Sequence, residues 1–330
     1  MFSTPFLKNI AIVGAGGNIG SVIVKALLTK GQHIITAITR PDSTSTLHPG
    51  IHHIKKVDLA NHTSLVSALK DQDILIISLN VMAAPSTQTD LINAAAEAGV
   101  RYIIPNEYGG NYSDAAFGES VGLGGKALAI RKHIEEKGMK WIAICCGFWY
   151  EFSLSGAELR YGFDFPGRKF TMFGDGEQKI TTSTWPQVGR AVAAVLSLPE
   201  KSGRDGETAP SVEKYGNTQV VVASFRVNQK DMFASVLRVA GTKESDWTIS
   251  HEDVEARYKR GREMMMKGDM VGFGIQLYSR SFFPDGKADN FEMLQNEELG
   301  LPWQEDLDEA TRVAVGYSES GKNKAWTMGQ

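Results

Sequence analysis

Cysteine is almost absent from this sequence. Its 330 residues include two cysteines, Cys145 and Cys146, which are adjacent inside an apolar run. Two neighbouring thiols build neither a disulfide framework nor a zinc cluster, so a reducing compartment is expected. His52 and His53 are neighbours in a strand pattern and point to opposite faces, which is poor geometry for chelation. No metal site is expected.

The chain also lacks an excess of one charge and any long apolar run. Lys plus Arg number 35 and Asp plus Glu 38, a net charge of −3 without a basic block, so nucleic-acid binding is not expected. No stretch of roughly 18 apolar residues indicates a membrane span, and the first residues lack the pattern of a signal peptide. With 42% hydrophobic and 22% charged residues, the composition favours a cytoplasmic globular protein of two lobes.

The first half alternates short β-branched apolar runs with helical patterns, which is typical of a parallel sheet covered by helices. Strands are predicted at Asn9–Val13, Ile34–Ile38, His53–Val57, Ile74–Ser78, Tyr102–Ile104 and Trp141–Cys145. Helices are predicted at Asn18–Leu28, Thr63–Leu69, Ser86–Ala98 and Lys126–Lys137. Right-handed crossovers between such strands predict a doubly wound α/β domain, the Rossmann fold.

After about Gly147 the sequence becomes rich in aromatic residues and glycine, which indicates a second, smaller lobe. We therefore expect a nucleotide domain over 1–150 and a substrate lobe over 151–330, interleaved through returning segments near 180–225. A hairpin is predicted through Phe170–Thr182. Further predictions are helices at Trp185–Leu198, Gln229–Ala240 and Val254–Met266 and a strand at Thr218–Val222, of which the first two helices and the strand are expected to return to the first domain.

The strongest local motif is VGAGGNIG at Val13–Gly20, which follows a predicted strand and opens a predicted helix. In this context Gly14 permits the tight turn, Gly17 lets the backbone approach a pyrophosphate, and Gly20 lets the helix pack on the strand. Backbone N–H groups at a helix start favour an anion. We expect a dinucleotide to contact Gly14, Gly16, Gly17, Asn18, Ile19 and Gly20; the alternative is a glycine-rich turn that serves only the fold.

The end of the second strand decides which dinucleotide is bound. Arg40 stands where an acidic residue would select NADH, and its forked cation suits a 2′-phosphate. NADPH is therefore the expected cofactor, unless Arg40 is merely solvated. Asp58, after the third strand, and Ser78 to Val81, including Leu79 and Asn80, lie at the carboxyl edge where such sheets bind ligands. Asp58 is equally well placed to cap a helix.

A proton donor must be sought outside the Tyr and Lys pair, four residues apart, that short-chain dehydrogenases usually carry. No Tyr in this chain has a Lys at the fourth following position. Lys126 is the candidate: it lies in the first turn of a helix whose inward stripe is Ala127, Ile130 and Ile134. Partial burial and the positive helix end would lower the pKa of Lys126 and favour proton transfer. Simple solvation of this lysine is the alternative.

These motifs together resemble the isoflavone reductase-like, or NmrA-like, group of atypical short-chain dehydrogenases. The similarity spans about the first 200 residues: the glycine loop, Arg40, RYIIPNEYG at Arg101–Gly109, the Lys126 helix running into WIAICCGFWYEF, and Ile180–Pro199. It implies that Arg40 binds the 2′-phosphate and that Lys126 contacts NADPH and assists proton transfer. In that family a second basic residue often follows the arginine, whereas this chain has Ser43–Thr46 there. The spacing of Lys126 from Arg131 is also offset by about one residue from that of the plant enzymes.

Aromatic residues directly after the last strand of the first domain are expected to bind the substrate. These are Phe148, which is also expected at the cofactor, and Trp149, Tyr150 and Phe152. Ordinary core packing is their alternative role. Asn106, Glu107 and Tyr108 are expected to line the nicotinamide side, with structural pairing to a base as the alternative for Glu107. Gly118–Gly125, with four glycines, is either a flap that closes over substrate or a permissive loop.

The sequence thus predicts an NADPH-dependent reductase of secondary metabolism. Its expected substrate is a small, aromatic acceptor with a carbonyl group or conjugated double bond, and Lys126 assists proton transfer. The alternative is an NmrA-like regulator that senses the dinucleotide without turnover; a sugar-modifying extended enzyme is disfavoured by the missing Tyr and Lys pair. The oligomeric state stays open, with a homodimer as one option.

Overall fold

The structure, a computed structural model, describes residues 6–80, 83–202 and 210–321. The first half contains β1 (Asn9–Val13), α1 (Asn18–Lys30), β2 (Ile34–Thr39), β3 (His53–Lys56), α2 (His62–Leu69), β4 (Ile74–Ile77), α3 (Thr87–Glu97), β5 (Tyr102–Ile104), β6 (Tyr108–Gly109), α4 (Ala115–Ser120), α5 (Gly124–Glu136) and β7 (Lys140–Cys145). The second half contains β8 (Phe148–Trp149), α6 (Tyr150–Leu154), β9 (Phe163–Asp164), β10 (Lys169–Phe173), β11 (Ile180–Ser183), α7 (Trp185–Leu196), β12 (Thr218–Val221), β13 (Phe225–Val227), α8 (Gln229–Ala240), β14 (Thr248–Glu252), α9 (Val254–Met266), α10 (Val271–Ser281) and α11 (Leu307–Glu319).

A parallel sheet forms the centre of the first lobe. Its strands run in the order β3–β2–β1–β4–β5–β7–β12, with β6 paired to β7. This is a doubly wound order, and it reverses between β1 and β4. The predicted Rossmann fold is confirmed. Fully buried apolar strands such as β4, with the sequence ILII, explain why helices cover both faces.

Two segments of the second half lie in the first lobe. The strand β12 extends the sheet beside β7, and α7 packs on α1 with Val188, Ala191 and Val192 in the same buried cluster as Ile23 and Leu27. The helix α8 does not return, contrary to the prediction. Its buried Met232, Phe233 and Val236 pack in the core of the second lobe because that core offers an aromatic surface to this face.

The second lobe is built on two small sheets, ordered β14–β10–β9 and β13–β11–β8. The prediction of a hairpin through Phe170–Thr182 is wrong, because β10 and β11 belong to different sheets. Phe170 stacks on Phe163 with the ring centroids 4.3 Å apart, whereas β11 is buried between β8 and β13. Within the described ranges, no helix combines the length and apolar character needed to span a bilayer.

Candidate functional site

The glycine loop has the geometry of an anion cradle. Gly14 adopts a left-handed φ of 84°, and a Cβ there would lie 1.8 Å from the carbonyl oxygen of Ser78. A Cβ on Gly20 would lie 2.0 Å from the Gly14 oxygen, so α1 packs directly on the turn. Gly17 is the exposed N-cap of α1 and has ordinary angles. The backbone at Gly17 and Asn18 therefore faces solvent at the start of a helix, where a phosphate is favoured.

The segment after β2 lies against this loop. A Cβ on Gly16 would contact the Ser45 Cβ at 2.8 Å and the Thr46 oxygen at 2.9 Å. Arg40 is exposed, and its Nε lies 3.8 Å from the carboxylate of Asp42. A surface pair at this distance is weak, so it leaves the guanidinium available to a phosphate. The segment with Ser45 and Thr46 thus borders one side of the cradle, and Arg40 precedes it in the chain, directly after β2.

Other predicted cofactor residues lie at the same edge of the sheet. Asn106, after β5, accepts a hydrogen bond from the Leu79 amide (3.1 Å) and donates to the Leu79 carbonyl (3.3 Å). These two hydrogen bonds join the ends of β4 and β5, and the exposed Asn80 is the next residue in the chain. Asp58 accepts a hydrogen bond from the amide of Ala60 at 2.9 Å and so closes the turn before α2. This role is close to helix capping, the alternative considered for Asp58. Val81 lies outside the described residues.

An apolar cavity of about 240 Å³ lies between this edge and the second lobe. The first lobe contributes residues of β6, of the segment around α4 and of the chain after β7. The second lobe contributes the chain after α6, Thr181 of β11, and α10 with the segment that follows it. The volume is slightly below the roughly 300–1,000 Å³ of ordinary ligand pockets. A compact acceptor, largely apolar, matches this space.

Three of the four predicted aromatic substrate residues line the cavity: Phe148, Trp149 and Phe152. Phe148 stacks on Tyr278 with a centroid distance of 4.2 Å, and Trp149 meets Phe152 edge to face at 5.6 Å. The expected contact of Tyr150 with the substrate is not supported, because its side chain is fully buried away from the cavity. Its hydroxyl is hydrogen-bonded to Thr311 at 2.8 Å, within the core of the second lobe.

Glu107 does not line the cavity, so its expected contact with substrate is not supported. It forms a buried ion pair with Arg131 of α5 through both carboxylate oxygens, the structural alternative considered for it. Burial raises the pKa of Glu107, while the bond from Arg131 lowers it. Tyr108 does line the cavity, and its hydroxyl donates to the Ile77 carbonyl at 3.1 Å. Burial raises the pKa of Tyr108 far above its ordinary value, so this phenol stays protonated.

Lys126 occupies the first turn of α5 as predicted, but the partial burial expected for its side chain is absent. The side chain is exposed because Ala127, Ile130 and Ile134 form the inward face of α5, and Lys126 lies one residue before that stripe. The start of this helix borders the cavity through Leu123.

The glycine-rich segment before α5 is closely packed. A Cβ on Gly124 would come within 2.6 Å of the Gly118 Cα. Side chains of the second lobe hold Ser120: Tyr258 and Gln276 donate to its carbonyl, both at 2.8 Å, and Arg280 donates to its hydroxyl. Gly118 and Gly124 therefore serve close backbone packing, whereas a Cβ on Gly125 would meet nothing within 4 Å. The segment contributes to the cavity wall and is hydrogen-bonded to the second lobe at Ser120.

Several lining residues were not predicted. Leu159, Arg160, Phe273, Leu277 and Tyr278 come from the second lobe, far along the chain from the glycine loop. Arg160 is the only basic residue of the aromatic stretch GFWYEFSLSGAELRYGFDF, and this was the available signal for it. Nothing local distinguishes Phe273 and Leu277 from core residues of an amphipathic helix.

Comparison with known proteins identifies the family. The model of the NmrA-like family matches residues 7–233. The chain belongs to the NmrA-like family. Oxidoreductase aprR of Aspergillus flavus is 26% identical over 304 residues, which cover 89% of this chain and 94% of that protein. The predicted family is therefore confirmed, and so is the assignment to the oxidoreductases.

Solved structures share the architecture. An isoflavone reductase has a TM-score of 0.71 at 20% identity, covering 92% of this chain and 98% of its own. A structure of AtPrR2 with NADP+ and (+)pinoresinol has a TM-score of 0.69 at 18% identity, covering 94% of this chain and all (100%) of its own. At such identities the similarity concerns the fold.

Proposed function

We propose that this NmrA-like chain is an NADPH-dependent reductase that transfers hydride to a small aromatic acceptor with a carbonyl group or conjugated double bond. The observation that carries the proposal is the aromatic cavity at the carboxyl edge of the sheet, reached from the same edge as the glycine loop. A ligand enclosed by Phe148, Trp149 and Phe152 is held in an apolar environment from which water is largely displaced.

The residues of the cradle fit NADPH. Only glycine fits at Gly14 and Gly20, and the exposed Gly17 lets a pyrophosphate approach the amides of the helix start. Arg40 would supply a cation for the 2′-phosphate, and Ser45 and Thr46 lie against Gly16 of the loop. AtPrR2, which shares the fold, has a structure with NADP+, and this supports the assignment. When bound, NADPH supplies the hydride.

Lys126 is proposed as the residue that handles the accompanying proton. Its ammonium group is exposed at the first turn of α5, and the same helix start borders the cavity through Leu123. The flexible stem of a lysine spans about 6 Å, an extent set by its four methylene groups. Nζ of Lys126 would donate a proton to the acceptor or orient it. Tyr108 does not take this role, because its hydroxyl is already bonded to the Ile77 carbonyl.

Two measurements test the proposal. Calorimetry should show that the purified chain binds NADPH more tightly than NADH, and absorbance at the nicotinamide band should fall when an aromatic enone, ketone or quinone methide is added. If NADPH binds but no member of a broad acceptor panel is reduced, the reductase proposal is wrong. Similar binding of oxidised and reduced cofactor, without turnover, would instead support the dinucleotide sensor.

A further inference from the structure

Tyr112 brings a phenol hydroxyl to the wall of the aromatic cavity. The residue lies between β6 and α4, lines the cavity and is 7% exposed. Its hydroxyl lies over the backbone of the first lobe, since a Cβ on Gly109 would come within 2.9 Å of the Tyr112 oxygen. Gly109 also lines the cavity, and it pairs with the end of β7. The hydroxyl therefore lies at the carboxyl edge of the sheet, on the side of the cavity that belongs to the cofactor lobe.

The ring of Tyr112 is held in place by apolar neighbours. It packs with Phe117 and Val121 in a small buried cluster, and both of these residues line the cavity as well. Ala127 of α5 packs against the same cluster. Because Ala127 directly follows Lys126 in the chain, the phenol and the start of the Lys126 helix border the same part of the cavity wall.

The proton of the Tyr112 hydroxyl is available to a ligand. A phenol oxygen can accept one hydrogen bond while its own proton is donated in another. The backbone amide of Gly110 donates to the Tyr112 oxygen, and no acceptor for the Tyr112 proton is found among the described residues. The hydroxyls of two other tyrosines in the wall, Tyr108 and Tyr278, are by contrast hydrogen-bonded to groups of the protein. Tyr112 therefore has a donor to offer in a cavity that is otherwise largely apolar.

A buried phenol that keeps its proton suits an oxygen that gains negative charge. Burial raises the pKa of Tyr112 far above its ordinary value, and the bond from Gly110 offsets this only in part, so the hydroxyl remains a donor. Hydride addition to the β-carbon of an enone moves the electron pair of the double bond toward the carbonyl oxygen, which becomes an enolate oxygen, while the cofactor is oxidised to NADP+. A donor already in position in an apolar cavity stabilises such a charge better than bulk water does.

We propose that the Tyr112 hydroxyl donates a hydrogen bond to the carbonyl oxygen of the acceptor and stabilises the charge that this oxygen gains during reduction. The inference rests on the proposed function, because it assigns a further residue to the same reaction. Tyr112 keeps its proton throughout, and the α-carbon of the enolate receives its proton from Lys126. The favoured acceptors are then those whose reducible bond is a carbonyl group or is conjugated to one.

Infrared spectroscopy of a bound enone tests this contact. The probe is benzylideneacetone, isotopically labelled at its carbonyl carbon and bound in the presence of NADP+, so that no turnover occurs. A hydrogen bond weakens the carbonyl bond, so the stretching frequency should be lower in the wild-type complex than in the Tyr112→Phe complex. Tyr215→Phe, which removes a buried hydroxyl of the first lobe outside the cavity, should match the wild type. Equal frequencies in wild type and Tyr112→Phe would overturn the inference.

Kinetics provide a second readout. Tyr112→Phe should lower kcat/KM for benzylideneacetone by about 10²-fold, the low end of the range for losing one oxyanion donor. It should weaken binding of the enone by only about three- to tenfold, the effect of one neutral hydrogen bond. Tyr215→Phe should alter neither value. Equal losses in kcat/KM and in affinity would assign Tyr112 to binding alone and overturn its role in stabilising charge.

If Tyr112→Phe does not yield folded protein, 3-fluorotyrosine placed at position 112 replaces it. The fluorine makes the phenol a stronger donor, while the hydroxyl and nearly the whole shape of the side chain are kept. The carbonyl frequency of bound benzylideneacetone should then fall below the wild-type value. An unchanged or higher frequency contradicts the inference.

The two proposals fail in different ways. A carbonyl frequency that depends on Tyr112, without oxidation of NADPH by benzylideneacetone or by the wider panel, supports the hydrogen bond to a carbonyl ligand but removes the reductase and, with it, the stabilisation of charge. Reduction of the enone with a frequency that does not depend on Tyr112 supports the reductase and removes the inference. If benzylideneacetone does not bind the wild-type protein, the inference about Tyr112 is wrong.

Discussion

Arg131 binds both carboxylate oxygens of Glu107, and the two side chains are only 5% and 6% exposed. The pair links α5 to the chain directly after β5, one residue before the cavity-lining Tyr108. Arg131 also lies over the ring of Trp141 in β7, 4.4 Å from the ring centroid. Helix, sheet and cavity wall are therefore joined by one buried ion pair.

Removal of Arg131 should strongly destabilise the protein. Arg131→Met leaves the Glu107 carboxylate buried without its partner, which costs about 3–5 kcal/mol in the free energy of unfolding. The double variant Arg131→Met, Glu107→Gln should recover much of this loss, because no charge remains buried. Urea denaturation measures both. The control is Glu136→Gln in the exposed Lys132–Glu136 pair of the same helix, expected to cost about 0.5 kcal/mol or less; equal effects at both sites would refute the prediction.

A substitution at Gly17 should distinguish the role of the loop in cofactor binding from its role in folding. Gly17→Ala should leave stability within about 1 kcal/mol, because the residue has ordinary angles and a Cβ there meets only the Gly14 oxygen at 3.3 Å. The added methyl group should nevertheless weaken NADPH binding about tenfold or more by blocking the approach of the pyrophosphate. Gly14→Ala is the comparison, since its left-handed φ and the Ser78 oxygen predict loss of folding. Unchanged NADPH affinity in folded Gly17→Ala would argue against the cradle.

Arg40 should determine the choice between the two dinucleotides. Arg40→Ala is expected to weaken NADPH binding roughly ten- to hundredfold while NADH affinity changes little, because only NADPH carries the 2′-phosphate. Titration of both cofactors against the same variant measures this. Arg312→Ala, which removes an exposed arginine paired with Glu309 on α11, serves as the control. Parallel loss of both affinities in Arg40→Ala would assign the residue to the fold instead.

Lys126 should affect turnover and leave cofactor binding largely intact. Lys126→Ala is expected to lower kcat by about 10²-fold, at the low end of the range for general acid catalysis, because the lysine is exposed and water can substitute in part. Lys132→Ala removes another exposed lysine of α5 and should have no effect. The prediction is contradicted if kcat in Lys126→Ala matches that of the Lys132→Ala control.

Glu151 should make stability depend on pH near neutrality. Burial raises the pKa of this carboxyl to about 7, above the value of about 4.5 in the unfolded chain. The folded protein then keeps a proton that the unfolded chain has released, so the stabilisation is fully present below about pH 4.5 and is lost as the pH rises through about 7.

Glu151→Gln stays neutral at every pH and should escape this loss. Its free energy of unfolding, relative to wild type, should increase by about 2 kcal/mol between pH 5 and pH 8. Urea titrations at both pH values measure the difference, with Glu255→Gln, an exposed carboxylate on α9, as the control. A difference that does not change with pH would show that Glu151 is ionised throughout.

Local patterns predicted the parts of the molecule that depend on local physics. β-branched runs such as ILII can be buried only as central strands, and Gly14 and Gly20 are required by backbone contacts within the same loop. The alternation of strands and helices then determines the doubly wound order. For these reasons the sequence alone predicts the first lobe and the position of its cradle.

The cavity could be predicted only in part, because its walls come from distant segments. Phe148, Trp149 and Phe152 were found by composition, but composition does not show that Tyr150, between them, faces the opposite core. The partners of β10 and β11 depend on strands more distant in the chain, such as β14 and β13. Arg160 and Tyr278 become neighbours of Phe148 only once both lobes are assembled.

The return of α7 and β12 to the first lobe has a consequence for dissecting the protein. A fragment that ends at residue 150 would expose the edge of β7 and the face of α1 that α7 covers, and such a fragment should aggregate. We therefore expect that neither half folds independently. An exchange of cofactor and substrate modules within this family would therefore require residues 1–150, α7 and β12 to be transplanted together, with the chain connections between the two lobes intact.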